Sequence, residues 1–396
     1  MPVRAPTLTR PRQSHPAQSG HGPLVPLLAL VTTAGYGALY YAQPVLAIAA
    51  EAERGWTRTH TSLPFTGALL VTAFLAPSAG RALDMRGGRT LLPAGAVAGA
   101  AGFALMTAPG FAPYLLGWLL VGVGMTLTFY EAAFTVLGQQ RRGAARTRAT
   151  LQVTLVAGLA STIFVPLVTA LTQRSLNAAL LSLAALLLVT ALLARWYLPA
   201  GPASPPALTA GTTPDPPRPF RPDRPLRILT LGFTLARIVT VGVGLQLAPL
   251  LLDAGYSPAH AAVLTGLAGL AALPGRILFV PLLRLLPPAT LTATLCASLG
   301  AGALLLTLAP GPAVPAGILI FGLASGALTL ARAQQLAVTY PHQFGAANGH
   351  LARPVNLAQA LTPLVMGGLF TWTGLYRPSL LLMAALGGAA ALTLRR

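Results

Sequence analysis

The chain is 396 residues long, 54% hydrophobic and only 8% charged, whereas a soluble domain carries about a quarter charged residues. That composition excludes a soluble enzyme with a single core and leaves lipid as the solvent, where only helices or a closed barrel satisfy the backbone. The net charge of +19 comes from arginine alone and is spread over alternate loops, not over one basic face with interleaved aromatics, which argues against a nucleic-acid partner.

Residues 1–22, with Arg4, Arg10 and Arg12, read as a disordered cytoplasmic tail. The apolar run that follows is too long for a signal-peptide core and has no clear cleavage site. It predicts a first span over about Leu24–Ala49, in which Tyr36, Tyr40 and Gln43 fall at i, i+4 and i+7 on one helical face. A second span, about Ser62–Ala82, and a third, about Thr90–Ala108, are separated by Gly80-Arg81-Ala82-Leu83-Asp84-Met85-Arg86-Gly87-Gly88-Arg89. Gly87 and Gly88 suit a sharp reversal. Span 4 covers about Ala112–Gly138, span 5 Thr150–Thr172 and span 6 Asn177–Tyr197.

Residues 199–225 contain ten prolines together with Arg218, Arg221 and Arg224, an extended polar cytoplasmic linker that cannot be a buried helix. It divides the chain into an N-terminal half, 23–198, and a C-terminal half, 226–396. Spans 7 to 12 are expected over about Leu226–Leu252, Pro258–Leu286, Thr290–Leu308, Val314–Thr339, Gly345–Thr371 and Pro378–Leu394. One set of alternating segments holds eighteen arginines and the other only Arg54, Arg58, Arg174 and Arg377. Positive charge is retained inside, so both termini are expected to be cytoplasmic. The halves also echo each other: Gly55-Trp56-Thr57-Arg58-Thr59-His60 recurs as Gly255-Tyr256-Ser257-Pro258-Ala259-His260, as in transporters built from repeats.

The loop after span 2 resembles the glycine–aspartate–glycine–arginine signature between helices 2 and 3 of the major facilitator superfamily. Gly80, Asp84, Gly87 and Arg89 stand at its spacing, while Ala82 and Met85 depart from its usual leucine and arginine. Tyr36-Gly37-x-x-Tyr40-Tyr41, Gly55-Trp56-Thr57-Arg58-Thr59 and Phe129-Tyr130-Glu131-Ala132-Ala133-Phe134 resemble stretches of a bacterial, monocarboxylate-porter-like branch. The resemblance implies two pseudo-symmetric six-helix bundles around a central cavity, with Asp84 in a cytoplasmic gate. There it would pair with Arg141 or Arg142 or cap a neighbouring helix N-terminus. In the internal repeat Gly275-Arg276 stands near the end of its span as Gly80-Arg81 does, and Arg276 is expected in the cytoplasmic gate. Trp118 stands where many proton-coupled members carry an arginine, and the helix 5 antiporter signature is absent, which disfavours a drug/proton antiporter. In the second half, Arg284 and Pro287 replace the aspartate and glycine of the signature.

Five charges fall inside spans: Glu131, Arg237, Arg276, Arg332 and Arg353. Each costs a few kcal/mol unless it faces a cavity or a partner. Glu131, on a face with Gly124, Thr128 and Thr135, is either a proton-binding carboxylate or the partner of an arginine. Arg237 is a natural carboxylate anchor, with pairing to Glu131 as the alternative. Arg332 could serve the cavity or snorkel to the interface, and Arg353 reads as a gate or snorkelling residue. Asn356, one turn deeper, joins Tyr36, Tyr40, Gln43, Tyr130 and Gln246 as expected cavity lining; interfacial-belt tyrosines are the alternative for the aromatics.

These readings predict an all-α membrane protein with twelve transmembrane helices, a multi-pass monomer of the cytoplasmic membrane. Its expected function is secondary transport of a small organic anion such as a monocarboxylate, by alternating access, with proton symport. Efflux of amphiphilic compounds is the alternative; a transporter-like sensor or membrane enzyme is more remote. The lone Cys296 and the scattered histidines predict no metal site or disulfide. No phosphate-binding loop of the Gly-x-x-x-x-Gly-Lys type occurs, and no cofactor or nucleic-acid partner is expected.

Overall fold

A computed structural model of the chain describes residues 24–199, 220–341 and 343–395. The tail expected over 1–22 and most of the linker, residues 200–219, lie outside the described residues. The described chain forms twelve membrane-length helical segments: α1 Leu24–Arg54, α2 Arg58–Arg86, α3 Gly88–Met106, α4 Phe111–Gln140, α5 Gly143–Thr172, α6 Leu176–Tyr197, α7 Arg224–Asp253, α8 Pro258–Leu285, α9 Pro288–Leu306, α10 Ala313–Thr339, α11 Phe344–Thr373 and α12 Arg377–Leu394. Eleven are apolar enough to cross a bilayer on composition alone. The exception, α11, carries Asn348, His350, Arg353, Asn356 and Gln359.

The helices pack as two bundles of six, and their contacts repeat. Helix α3 packs on α4 and α6, as α9 packs on α10 and α12; α2 packs on α4, as α8 packs on α10. Close approach is made by glycines 200 residues apart. A methyl group on Gly122 would come 2.5 Å from the Ala68 carbonyl oxygen, and one on Gly322 would come 2.5 Å from that of Ala268. Gly102 and Gly302 meet the carbonyls of Gly117 and Gly317 in the same way. The duplication legible at residues 55–60 and 255–260 therefore extends through the helix packing. At both copies of that echo a hydroxyl bonds a histidine ring, Thr57 Oγ1 to His60 Nδ1 at 2.7 Å and Ser257 Oγ to His260 Nδ1 at 3.0 Å.

The bundles meet through α2 against α11 and through the first half of α5 against α8 and α10. The second half of α5, Ala160–Thr172, packs on α1 and α6 of its own bundle. Methyl groups on Gly266 or Gly269 of α8 would meet nothing within 4 Å. The bundles are thus closed at the end bearing the Arg81–Arg89 and Arg141–Arg148 segments and parted at the other.

At the closed end the α2 and α11 backbones touch: a side chain on Gly80 would strike the Gly345 carbonyl, and one on Gly349 the Ala76 carbonyl. Asp84 accepts from Gly345 N at 3.0 Å and Ala346 N at 2.7 Å, so of its two expected roles it takes the helix cap. Arg146 lies 4.1 Å over the Phe344 ring, and Thr147 Oγ1 reaches Gln334 Oε1 at 3.0 Å. Gly87 reverses the chain at φ 73°, and Arg89 Nε donates to the Arg195 carbonyl at 2.9 Å.

Gly122→Ala and Gly322→Ala should each destabilise the protein by about 1–3 kcal/mol, since neither site has room for a methyl group. Gly266→Ala should cost less than about 0.5 kcal/mol. Thermal unfolding in detergent compares the three, and equal effects would contradict the packing asymmetry.

Candidate functional site

A cavity of about 460 Å³ lies between the bundles. Its N-terminal wall is aromatic because two helices depart from regular winding. Residues Tyr36–Tyr41 of α1 form a π-helical turn, which holds more residues per turn than an α-helix and is often found at functional sites. The wider turn brings Tyr41 into the cavity beside Tyr36 and Tyr40. Helix α4 breaks at Phe129, whose backbone is extended at φ −78°, ψ −176°, and a new helical segment starts at Tyr130. The Phe129 carbonyl accepts from both Ala132 N and Ala133 N at 3.1 Å. The break aims Phe129, Tyr130 and Glu131 into the cavity. Tyr36 stacks on Phe129 at 3.9 Å between centroids and lies 4.7 Å from Tyr130.

The C-terminal wall supplies cations: Arg237 from α7, Arg276 from α8 and Arg332 from α10. Arg332 Nη1 pairs with Glu131 Oε1 at 3.1 Å. Its Nη2 donates to Asn348 Oδ1 at 2.9 Å, and Asn348 Nδ2 donates back to the Glu131 carbonyl at 3.2 Å. The three residues close a ring that ties α4 to α10 and α11 across the bundle boundary. Arg237 Nη2 donates to Gln359 Oε1, and Gln359 Nε2 reaches the Tyr40 hydroxyl at 3.3 Å. Arg237 Nε and Arg276 Nε are buried without a hydrogen-bond partner. Arg276 Nη1 occupies the space that a side chain on Gly158 would need.

Of the residues expected to line the cavity, Tyr36, Tyr40, Tyr130, Arg237, Arg332 and Asn356 do so, together with Glu131 and Gly80. Gln43 does not: the π-turn ends before it, so the regular i, i+4, i+7 register does not hold. Gln246 also lies outside the lining, buried at 6% exposure, with its Oε1 unpartnered. Arg276 was expected in the cytoplasmic gate but faces the cavity. It sits nine residues before the end of α8, or about 14 Å along the axis, deeper than Arg81, five residues before the end of α2. Arg332 is 16% exposed and ion-paired, not snorkelling, and Glu131 takes Arg332 as its partner in place of Arg237. Arg353 is exposed, 5.4 Å over the Phe74 ring. Glu131 and Thr135 face the cavity, whereas Gly124 and Thr128 do not, because the break at Phe129 separates them.

Tyr41, Phe129, Asn348 and Gln359 also belong to the site. The signal for the last two was present: Asn348, Asn356 and Gln359 form one polar stripe on α11 at helical spacing. Among the described residues, no group of three His, Cys, Asp or Glu side chains is placed to hold a metal. Of the lining residues, three are arginine and one is an acid.

The Major Facilitator Superfamily model matches residues 28–349. No curated protein matches the sequence. Among solved structures, the human organic anion transporter MFSD10 (TETRAN) is similar at 18% identity and a TM-score of 0.72, covering 94% of this chain and 98% of its own. The transporter FucP in an outward conformation aligns at 15% identity, a TM-score of 0.73 and 94% and 97% coverage; a further match describes it as the E. coli fucose:proton symporter. A bacterial homologue of the iron transporter ferroportin, outward-facing with soaked iron, aligns at 16% identity, a TM-score of 0.74 and the same coverage. At these identities the likeness is one of fold.

Asp84→Ala removes both acceptors from the α11 N-terminus and should weaken closure by about 0.5–2 kcal/mol. With Cys296 replaced by alanine and spin labels at Arg86 and Val338, the variant should gain a longer-distance population. An unchanged distance distribution would assign the closure to other contacts.

Proposed function

Because the chain belongs to the major facilitator superfamily, we propose that it moves a small organic anion across the cytoplasmic membrane by alternating access, coupled to protons. The observation that carries this is the charge of the cavity: three guanidinium groups face one carboxylate, and only Arg332 has an ionic partner there among the described residues. A cation held in low dielectric favours an anionic ligand strongly. Arg237, with its Nε unpartnered, is the carboxylate anchor. Tyr36, Phe129 and Tyr130 supply an apolar wall for the body of the substrate. The likeness to an organic anion transporter accords with this reading without carrying it.

With the arginine-rich end cytoplasmic, the parted end faces outward, and the α2–α11 contact is the closed inner gate. The two bundles, 23–198 and 226–396, rock about the central site, joined by the 199–225 linker. A proton taken up by Glu131 neutralises its carboxylate and removes the ionic part of its hold on Arg332. The ring that binds α4 to α10 and α11 then loosens, which frees the two bundles to move apart on that side while the anion stays held by Arg237. Reclosing the pair after the anion leaves returns the proton on the other side. A single chain contains the whole site, so a monomer suffices.

Efflux of amphiphilic compounds is the second reading, favoured by the apolar lining residues Leu69, Met125, Phe134, Phe233, Leu245 and Leu328. Proteoliposome uptake of labelled small carboxylates, with and without an inward proton gradient, separates the two. The gradient should drive carboxylate accumulation, and Arg237→Ala should lower uptake by about 10- to 100-fold, the worth of a charge-assisted contact. Glu131→Gln should retain exchange but lose gradient-driven accumulation. Transport of lipophilic cations with no carboxylate movement would replace the anion proposal by the efflux one.

A further inference from the structure

Resting on the anion site proposed above, we infer that the substrate carries two separated acid groups, as a compact dicarboxylate does, one met by Arg237 and the other by Arg276. Among the described residues, the cavity lining holds Arg237, Arg276, Arg332 and Glu131 as its only charged side chains. Glu131 is taken by Arg332 at 3.1 Å, so the cavity retains two positive charges. A monoanion would compensate one and leave the other buried opposite neutral groups, which is costly in low dielectric. A dianion compensates both.

The two arginines stand at different places on the same wall. Arg237 projects from α7 and is steadied by the neutral Gln359, itself hydrogen-bonded to Tyr40 at 3.3 Å. Arg276 projects from the neighbouring α8 and reaches over Gly158 of the opposite bundle. Each has a buried Nε with no protein acceptor, so each retains an unused donor for an anionic oxygen. The seat of Arg276 is built for it. Helix α5 is interrupted between Ala157 and Ala160, and Gly158 lines the cavity there. Its missing side chain leaves the volume that the Arg276 Nη1 group fills. Two cations on two helices, each with a different neighbour in the opposite wall or bundle, suit two acid groups of one small molecule, and Tyr36, Phe129 and Tyr130 line the same cavity. One doubly charged group, such as a phosphate monoester, is the competing way to compensate two cations.

The test is binding to the purified full-length chain by competition among matched probes: butyrate, succinate and monoethyl phosphate. Succinate should compete at least about tenfold better than butyrate, which equals about 1.4 kcal/mol, and better than monoethyl phosphate. Arg276→Gln should bring the succinate-to-butyrate ratio close to one, and Gly158→Ala should do the same by displacing Arg276 from its seat. Butyrate binding as well as succinate to the wild type would overturn this inference while leaving the anion site standing, as would a ratio untouched by Arg276→Gln. Monoethyl phosphate matching succinate would replace two groups by one. Failure of all three probes to bind would remove the anion site itself, and this inference with it.

Discussion

A guanidinium group within a membrane-spanning bundle must meet an anion or an acceptor, because lipid offers neither. That constraint organises the centre of this protein. Arg332 meets it with Glu131 and Asn348, and in doing so joins residues of both bundles. Arg237 meets it in part with a neutral amide. Arg276 projects across to the opposite bundle, where Gly158 leaves it room. The polar stripe of α11, the one segment of the twelve not apolar enough to cross a bilayer on composition alone, supplies Asn348 and Gln359 to this network. The polarity of α11 is therefore the counterpart of the cations on α7 and α10.

Duplication built the two bundles alike, yet their cavity faces differ. The C-terminal bundle contributes cations from helices α7, α8 and α10, which run without a break. The N-terminal bundle contributes aromatic rings and one acid from helices that do not: a π-turn in α1, an extended residue in α4 and an interruption in α5. All three irregularities lie on the cavity. Non-helical backbone is tolerated at membrane depth only where it is buried in protein or lines a polar space. The departures from regular winding thus coincide with the one place where the fold can hold them.

The closed end obeys a different economy of contact. Gly80, Gly345 and Gly349 let two backbones touch, and the approach brings the free amides of the α11 N-terminus within reach of Asp84. A carboxylate there satisfies two orphan donors and the helix dipole at once. Such a contact is local and directional. It differs in kind from the interdigitated packing within each bundle, which is spread over many side chains.

The helices, their number, the alternation of basic loops, the internal repeat and the Gly80–Arg89 signature were all legible in the sequence, because bilayer thickness and charge impose them residue by residue. The buried charges were legible for the same reason: an ionisable residue in an apolar run stands out. Their partners were not. That Glu131 takes Arg332 and leaves Arg237 to Gln359 depends on which helices face each other, and no local pattern encodes it. Gln43 and Tyr41 exchange places on the cavity because a π-turn changes the winding of α1, and regular periodicity cannot foresee that change. Gln246 is polar and buried, yet it points elsewhere. Arg276 is a gate residue by analogy with Arg81, but its greater depth on α8 and the vacancy at Gly158 of the opposite bundle place it in the cavity. Sequence set the elements and their charges; the apposition of two bundles decided which charges meet, because that depends on contacts between helices distant in the chain.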